Sequence, residues 1–144
     1  MNILYYGIKG VNERDEDDLT CTELILLIGK NCHSITMTKS LIERYREHLD
    51  WLRQKPAPVL QSLSVLNQLV VNSQKAVWEQ SEPPEIPVGI NIPQKDRYLV
   101  RAALISQPLV VTCDNSLRHA INDYPQLNLR ALHPTDALPL AKDT

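Results

Sequence analysis

Phenylalanine is absent from the chain, and aromatic residues reach only 5 % of its 144 positions. The core must therefore be aliphatic, built from Leu, Ile and Val. Neither sign of charge is in large excess: the net charge is −2, which gives no global attraction to nucleic acid. Any phosphate-binding surface has to be a local patch. Cysteine occurs only at Cys21, Cys32 and Cys113, an odd number without a C-x-x-C pair. That argues against a disulfide framework or a zinc knuckle, and each cysteine sits among apolar residues as a small buried hydrophobe would. No apolar run approaches membrane-spanning length, and the N-terminus lacks the basic region of a signal peptide, so a cytoplasmic protein without a membrane partner is expected. Gly7 and Gly10 are not followed by Lys-Ser/Thr, which excludes a phosphate loop of the P-loop type. His33, His48, His119 and His133 show no ligand spacing, and Cys32 and His33, adjacent in a strand, would point to opposite faces.

What is present is ordinary for one globular domain spanning 1–144: 43 % hydrophobic and 22 % charged residues. The run Asn2 to Gly7 reads as a short buried strand leading to Gly10. The acidic stretch Glu13 to Asp18 precedes Leu19, Leu24, Leu27 and Ile28 at helical spacing, where it would form a solvated first turn complementing the macrodipole. Gly29 and Asn31 close that helix. Cys32 to Thr38 alternates and is β-branched, which predicts a strand. Thr38 or Ser40 then caps a helix running to about Gln54.

Pro56 and Pro58 end that helix, and a further one is expected from Pro58 to Trp78. Its apolar stripe offers either core or a homodimer interface, and Trp51 and Trp78 read as packing or interface residues. Ser81 to Pro93 is a proline-rich loop with an extended piece at Val88 to Ile90. Lys95 to Ser106 is helical, Leu109 to Thr112 reads as a strand covered on both faces, and Ser116 to Ile121 forms a short helix. Leu127 to Leu132 is the last strand, and the tail after Pro134 holds one turn. Alternating strands and helices imply an α/β fold, a three-layer αβα sandwich around a mainly parallel sheet. Ligands in such sheets sit outside the carboxyl ends of the strands.

Three carboxylates are expected on that side. Asp114 follows the Val110-Val111-Thr112-Cys113 run, Asp96 opens the preceding helix, and Glu43 lies in the first turns of the helix after the Cys32–Thr38 strand. Crowded carboxylates repel, and a divalent cation keeps them charged together. Oxygen-only ligands suit Mg²⁺ or Mn²⁺. The same residues also fit helix caps: Asp114 and Asp96 as N-caps, Glu43 in a capping box with Ser40.

The stretch Asp96 to Ala103, followed by Leu109 to Leu117 with Val111-Thr112-Cys113-Asp114, resembles the second half of a PIN domain. Thr38 to Leu49 (TKSLIERYREHL) is similar to that family's strand-to-helix passage, Leu129 to Leu138 (LRALHPTDAL) to its closing strand and turn, and Asn2-Ile3-Leu4 to the end of its opening Asp-x-Asn strand. The resemblance implies a PIN-like endoribonuclease holding Mg²⁺ or Mn²⁺ at Asp96, Asp114 and Glu43. RNA would be the substrate, and a toxin-like role would bring an antitoxin protein as partner. The metal would activate a water and stabilise the leaving oxygen, with no protein nucleophile.

Two departures accompany it. The family's first aspartate would stand immediately before Met1, so either the natural chain starts earlier or this ligand is missing and the site is inactive. The family's helix glutamate falls at Arg44, flanked by Glu43 and, a turn on, Glu47. Thr112 or Ser116 would position water or phosphate; Arg44, Arg46, Arg53, Lys95, Arg97 and Arg101 are candidate phosphate contacts. A non-catalytic PIN-like module binding RNA or protein is the competing expectation. A phospho-acceptor receiver domain would need a lysine where Leu132-His133-Pro134 stands.

Overall fold

The computed structural model describes residues 2–52, 64 and 66–143. The opening apolar run is a helix, α1 (Asn2–Lys9), not the expected strand. A short apolar run fits a buried strand or a buried helix equally well, and tertiary packing decides. Here α2 (Thr20–Lys30) decides it. A Cβ on Gly7 would run into the Ile25 side chain and lie 3.1 Å from the Cys21 carbonyl, so glycine lets the two helices touch. The Thr22 hydroxyl donates to the Gly7 carbonyl at 2.6 Å across that contact. Gly10, at φ 72°, ends α1 in the left-handed region that glycine adopts freely.

The acidic stretch is not the first turn of α2. It forms a tight loop closed by an antiparallel bridge between Val11 and Asp17. Asn12 Oδ1 accepts from Arg14 N at 2.9 Å and Glu16 N at 3.1 Å, organising the tip. Asp18 Oδ1 accepts from Thr20 N at 2.8 Å and leads into the helix. At the other end Asn31 is the C-cap, while Gly29 lies inside the helix. The Lys75 ammonium donates to the carbonyls of Ile28, Asn31 and His33, satisfying backbone acceptors at the helix end. Cys32, expected to be buried, is exposed there.

β1 (Ile35–Met37) runs into α3 (Lys39–Leu52), whose first turn is capped by Thr38 Oγ1 accepting from Leu41 N at 3.2 Å. The helix expected from Pro58 to Trp78 falls partly outside the described residues, as does Arg53. Its visible end departs from expectation: a widened π-type turn covers Leu66–Val71, and Ala76–Trp78 forms β2. Asn72 breaks the helix, its Oδ1 accepting from Gln74 N and its carbonyl from Lys75 N and Ala76 N. β2 then pairs parallel with β1, Ile35 opposite Ala76 and Met37 opposite Trp78.

The loop across 81–93 turns at Val88 and Gly89, where an extended piece was expected, and Gly89 has φ 91°. A single 3₁₀ turn (Gln94–Asp96) leads into α4 (Arg97–Ser106). β3 (Leu109–Val111), α5 (Asn115–Asn122) and β4 (Arg130–Leu132) complete a second parallel pair, with Val110 opposite Ala131. The last element, α6 (Pro134–Lys142), is nine residues long, beyond the single turn expected.

The chain is thus mixed α/β, and its strands pair as two two-stranded parallel ladders. Ala102 of α4 packs with Ile8, Met37 and Val70 in one apolar cluster, while Val100 and Ala103 of the same helix pack with Val110, Leu117 and Ile121 in another. α4 therefore ties the two halves of the core together. Among the described residues, no helix is long and apolar enough to cross a membrane.

Candidate functional site

β3 is covered less than expected, with Leu109 exposed and only Val110 buried, and the Lys95–Asp114 ion pair brings the end of β3 and the start of α4 to one edge. Asp114 lies just past β3 and Asp96 at the N-cap position of α4. Asp114 is an N-cap in fact as well as type: Oδ1 accepts from Leu117 N at 3.0 Å. Its Oδ2 lies 3.3 Å from the Lys95 ammonium. The Leu117 N–H first, and then Lys95, hold this carboxyl below the ordinary aspartate range. The buried Thr112 hydroxyl accepts from Asp114 N at 3.1 Å, so it fixes the Asp114 backbone. Ser116 is exposed beside it.

Asp96 makes no capping bond to α4. Its Oδ2 is buried and has no hydrogen-bond partner. Burial raises its pKa, and the Asp114 charge raises it further, while Lys95 opposes both. The two aspartates therefore share one electrostatic neighbourhood with a single lysine between them, and their protonation is pushed in opposite directions. Two carboxylates, one of them desolvated and unpaired, make an arrangement that a divalent cation would relieve.

Glu43 is placed differently. It is exposed on α3, and among the described residues no hydrogen bond or ion pair links it to Asp96 or Asp114. Glu47 is exposed too. The α3 residue turned toward this edge is Arg44, whose guanidinium stacks over the Tyr98 ring at 4.5 Å. Tyr98 in turn senses both Arg44 and Asp96, though burial is the main cause of its raised pKa. A cation thus stands where a third carboxylate was expected.

The other basic candidates divide. Arg101 is committed to structure, donating to the Pro83 and Pro84 carbonyls and pairing with Glu85 at 3.0 Å. Arg46 is exposed and Arg97 half-buried. Sequence reasoning passed over Arg118, one turn beyond Asp114 on α5. Its Nη2 donates to Asn115 Oδ1, while Nη1 is buried without a partner. The i to i+4 spacing from Asp114 was the available signal. Reasoning from spacing also set aside the histidines and cysteines, yet Glu13, Cys113 and His133 meet beside the same edge.

The chain matches no family model, and neither a curated protein nor a solved structure matches it.

Proposed function

We propose that the chain is a PIN-like, metal-dependent endoribonuclease that takes Mg²⁺ or Mn²⁺ at Asp96 and Asp114. The observation that carries this reading is the buried, unpartnered Oδ2 of Asp96 beside the Asp114 carboxylate. An orphaned carboxylate oxygen among oxygen donors fits a hard divalent cation. When bound, such an ion lowers the pKa of a water and offsets charge on a phosphodiester. The chain supplies the rest: Lys95, exposed and held by one ion pair, can leave Asp114 at small cost. The unpartnered Nη1 of Arg118 is a donor suited to a phosphate oxygen.

A single-sheet, three-layer sandwich belongs to the same reading. It is supported by an apolar cavity of about 330 Å³ lined jointly by Ile35 of β1 and by Leu109 and Val111 of β3. A toxin-like role, with an antitoxin protein and self-association as partners, stays attached to this reading as its biological setting.

Incubation of the full chain with single-stranded RNA tests the proposal. Cleavage that needs Mn²⁺ or Mg²⁺ and is lost in Asp96→Asn is the expected result. Intact RNA in every metal condition overturns hydrolysis. The exposure of Glu43 and the presence of Arg44 favour a second reading, a module that binds RNA without cutting it. Retention of RNA in a mobility-shift assay, without cleavage, would establish that one.

A further inference from the structure

Cys113 and Asp114 are consecutive, yet their side chains enter different surroundings. Asp114 faces Lys95, ahead of α4, whereas the buried Cys113 meets Cys21 of α2. Glu13 from the loop after α1, and His133 just past β4, converge on the same thiol. One ligand atom from each of Glu13, Cys113 and His133 lies within 4.8 Å of the other two. Glu13 and His133 are held from behind. The Asn12-centred turn fixes the Glu13 loop. His133 Nδ1 accepts from Thr135 N at 3.2 Å as the cap of α6 and lies 3.0 Å from Thr135 Oγ1, which aims Nε2 at Glu13, 3.4 Å away.

We infer that Glu13, Cys113 and His133 form a metal site for a zinc-type divalent cation, separate from the Asp96–Asp114 pair. Mixed sulfur, nitrogen and oxygen donors suit Zn²⁺ and exclude Mg²⁺ as the preferred ion. Three protein ligands leave a fourth tetrahedral position open to water or a substrate atom. On binding, Cys113 gives up its proton, and Glu13 exchanges His133 for the ion. In the metal-free chain Nδ1 accepts from Thr135 N, so Nε2 ligates the ion once the ring proton moves to Nδ1, where Thr135 Oγ1 accepts it as an outer-shell partner.

Cobalt(II) titration of the full chain tests this site, because thiolate ligation gives a near-ultraviolet charge-transfer band. The band is expected in the parent and in Cys32→Ser, lost in Cys113→Ser, displaced by equimolar Zn²⁺ and unaffected by excess Mg²⁺. His133→Gln is expected to weaken cobalt binding by about tenfold or more, the scale on which even outer-shell losses act. No band in the parent, or a band retained in Cys113→Ser, overturns the site. If Cys113→Ser fails to fold, unchanged cobalt affinity in His133→Gln overturns it instead. Asp96→Asn must keep the band, so failure of the acidic centre and failure of this one are read separately.

Discussion

Replacing Asp96 with Asn is expected to stabilise the protein without metal and destabilise it, relative to the parent, with metal. Oδ2 of Asp96 is buried and unpartnered, and leaving a buried acceptor unsatisfied costs about 1–3 kcal/mol. Burial and Asp114 both raise the Asp96 pKa. A carboxyl with a raised folded-state pKa binds its proton more tightly when folded. Its ionisation therefore costs stability above that pKa, and the cost fades as pH falls through it. Asn keeps the shape and drops the charge. Because Asn leaves a polar atom in the same place, only the charge cost is relieved, and with the residue partly buried the gain should not exceed about 1 kcal/mol in EDTA near neutral pH. In a chain of this length that is roughly 3 °C of melting temperature. Mn²⁺ at about 100 times its Kd would stabilise the parent by about 2.7 kcal/mol and the variant far less, so the order inverts. Calorimetric scans in EDTA and in Mn²⁺, repeated from acid to neutral pH, measure both. A variant less stable than the parent in EDTA, together with a parent indifferent to Mn²⁺, would refute the reasoning.

Asp114→Ala should lower stability by about 1 kcal/mol in urea denaturation through loss of the α5 cap, while Asp114→Asn, still a good cap, loses less. Since the Asp114 pKa is depressed, its contribution is present above the ordinary carboxylate range and is lost as pH falls through the lowered folded value, which an acid titration of stability would follow. Lys95→Gln should change stability by less than about 0.5 kcal/mol, because its pair with Asp114 is exposed, yet tighten Mn²⁺ binding in a fluorescence-monitored titration. Lys75→Met should cost about 2–3 kcal/mol in the same urea assay, since one ammonium serves three carbonyls at and just beyond the end of α2.

The parts legible in the sequence were those fixed by local chemistry. Thr38 and Asp114 announced helix starts through residue type, and the apolar, valine-rich Leu109–Val111 run announced a strand. The failures were cases where tertiary contacts overrode local pattern. Asn2–Lys9 is helical because Gly7 lets it lie against α2, a fact that no period within eight residues carries. Ala76–Trp78 leaves the helical pattern because the Asn72 turn intervenes and β1 offers an edge. The convergence of Asp96 with Asp114 was legible because strand ends and helix starts share an edge. The outward turn of Glu43 was not, since one residue along a helix shifts the side chain by about 100°. His133 and Cys113 escaped notice because their meeting is set by β3–β4 pairing, not by spacing along the chain.

That pairing also explains why hard and soft donors gather side by side. β3 and β4 end together, Val111 opposite Leu132, so the residues after each strand emerge at the same level. Alternation past the end of β3 sends Cys113 toward α2 and Asp114 toward α4. Around the aspartates, two cations of different mobility remain. Lys95 is exposed and held by one ion pair, so an incoming divalent ion can replace it at a cost of no more than about 1 kcal/mol. Arg44 is stacked on Tyr98 and stays. Under the hydrolase reading, the exchange of Lys95 for a metal raises the positive charge at the edge while Arg44 keeps it attractive to phosphate. Under the binding reading, Lys95 and Arg44 act together as phosphate contacts with no metal. The sign of the Lys95→Gln effect on RNA affinity in EDTA separates them: weakening of RNA binding belongs to the second, and no change to the first.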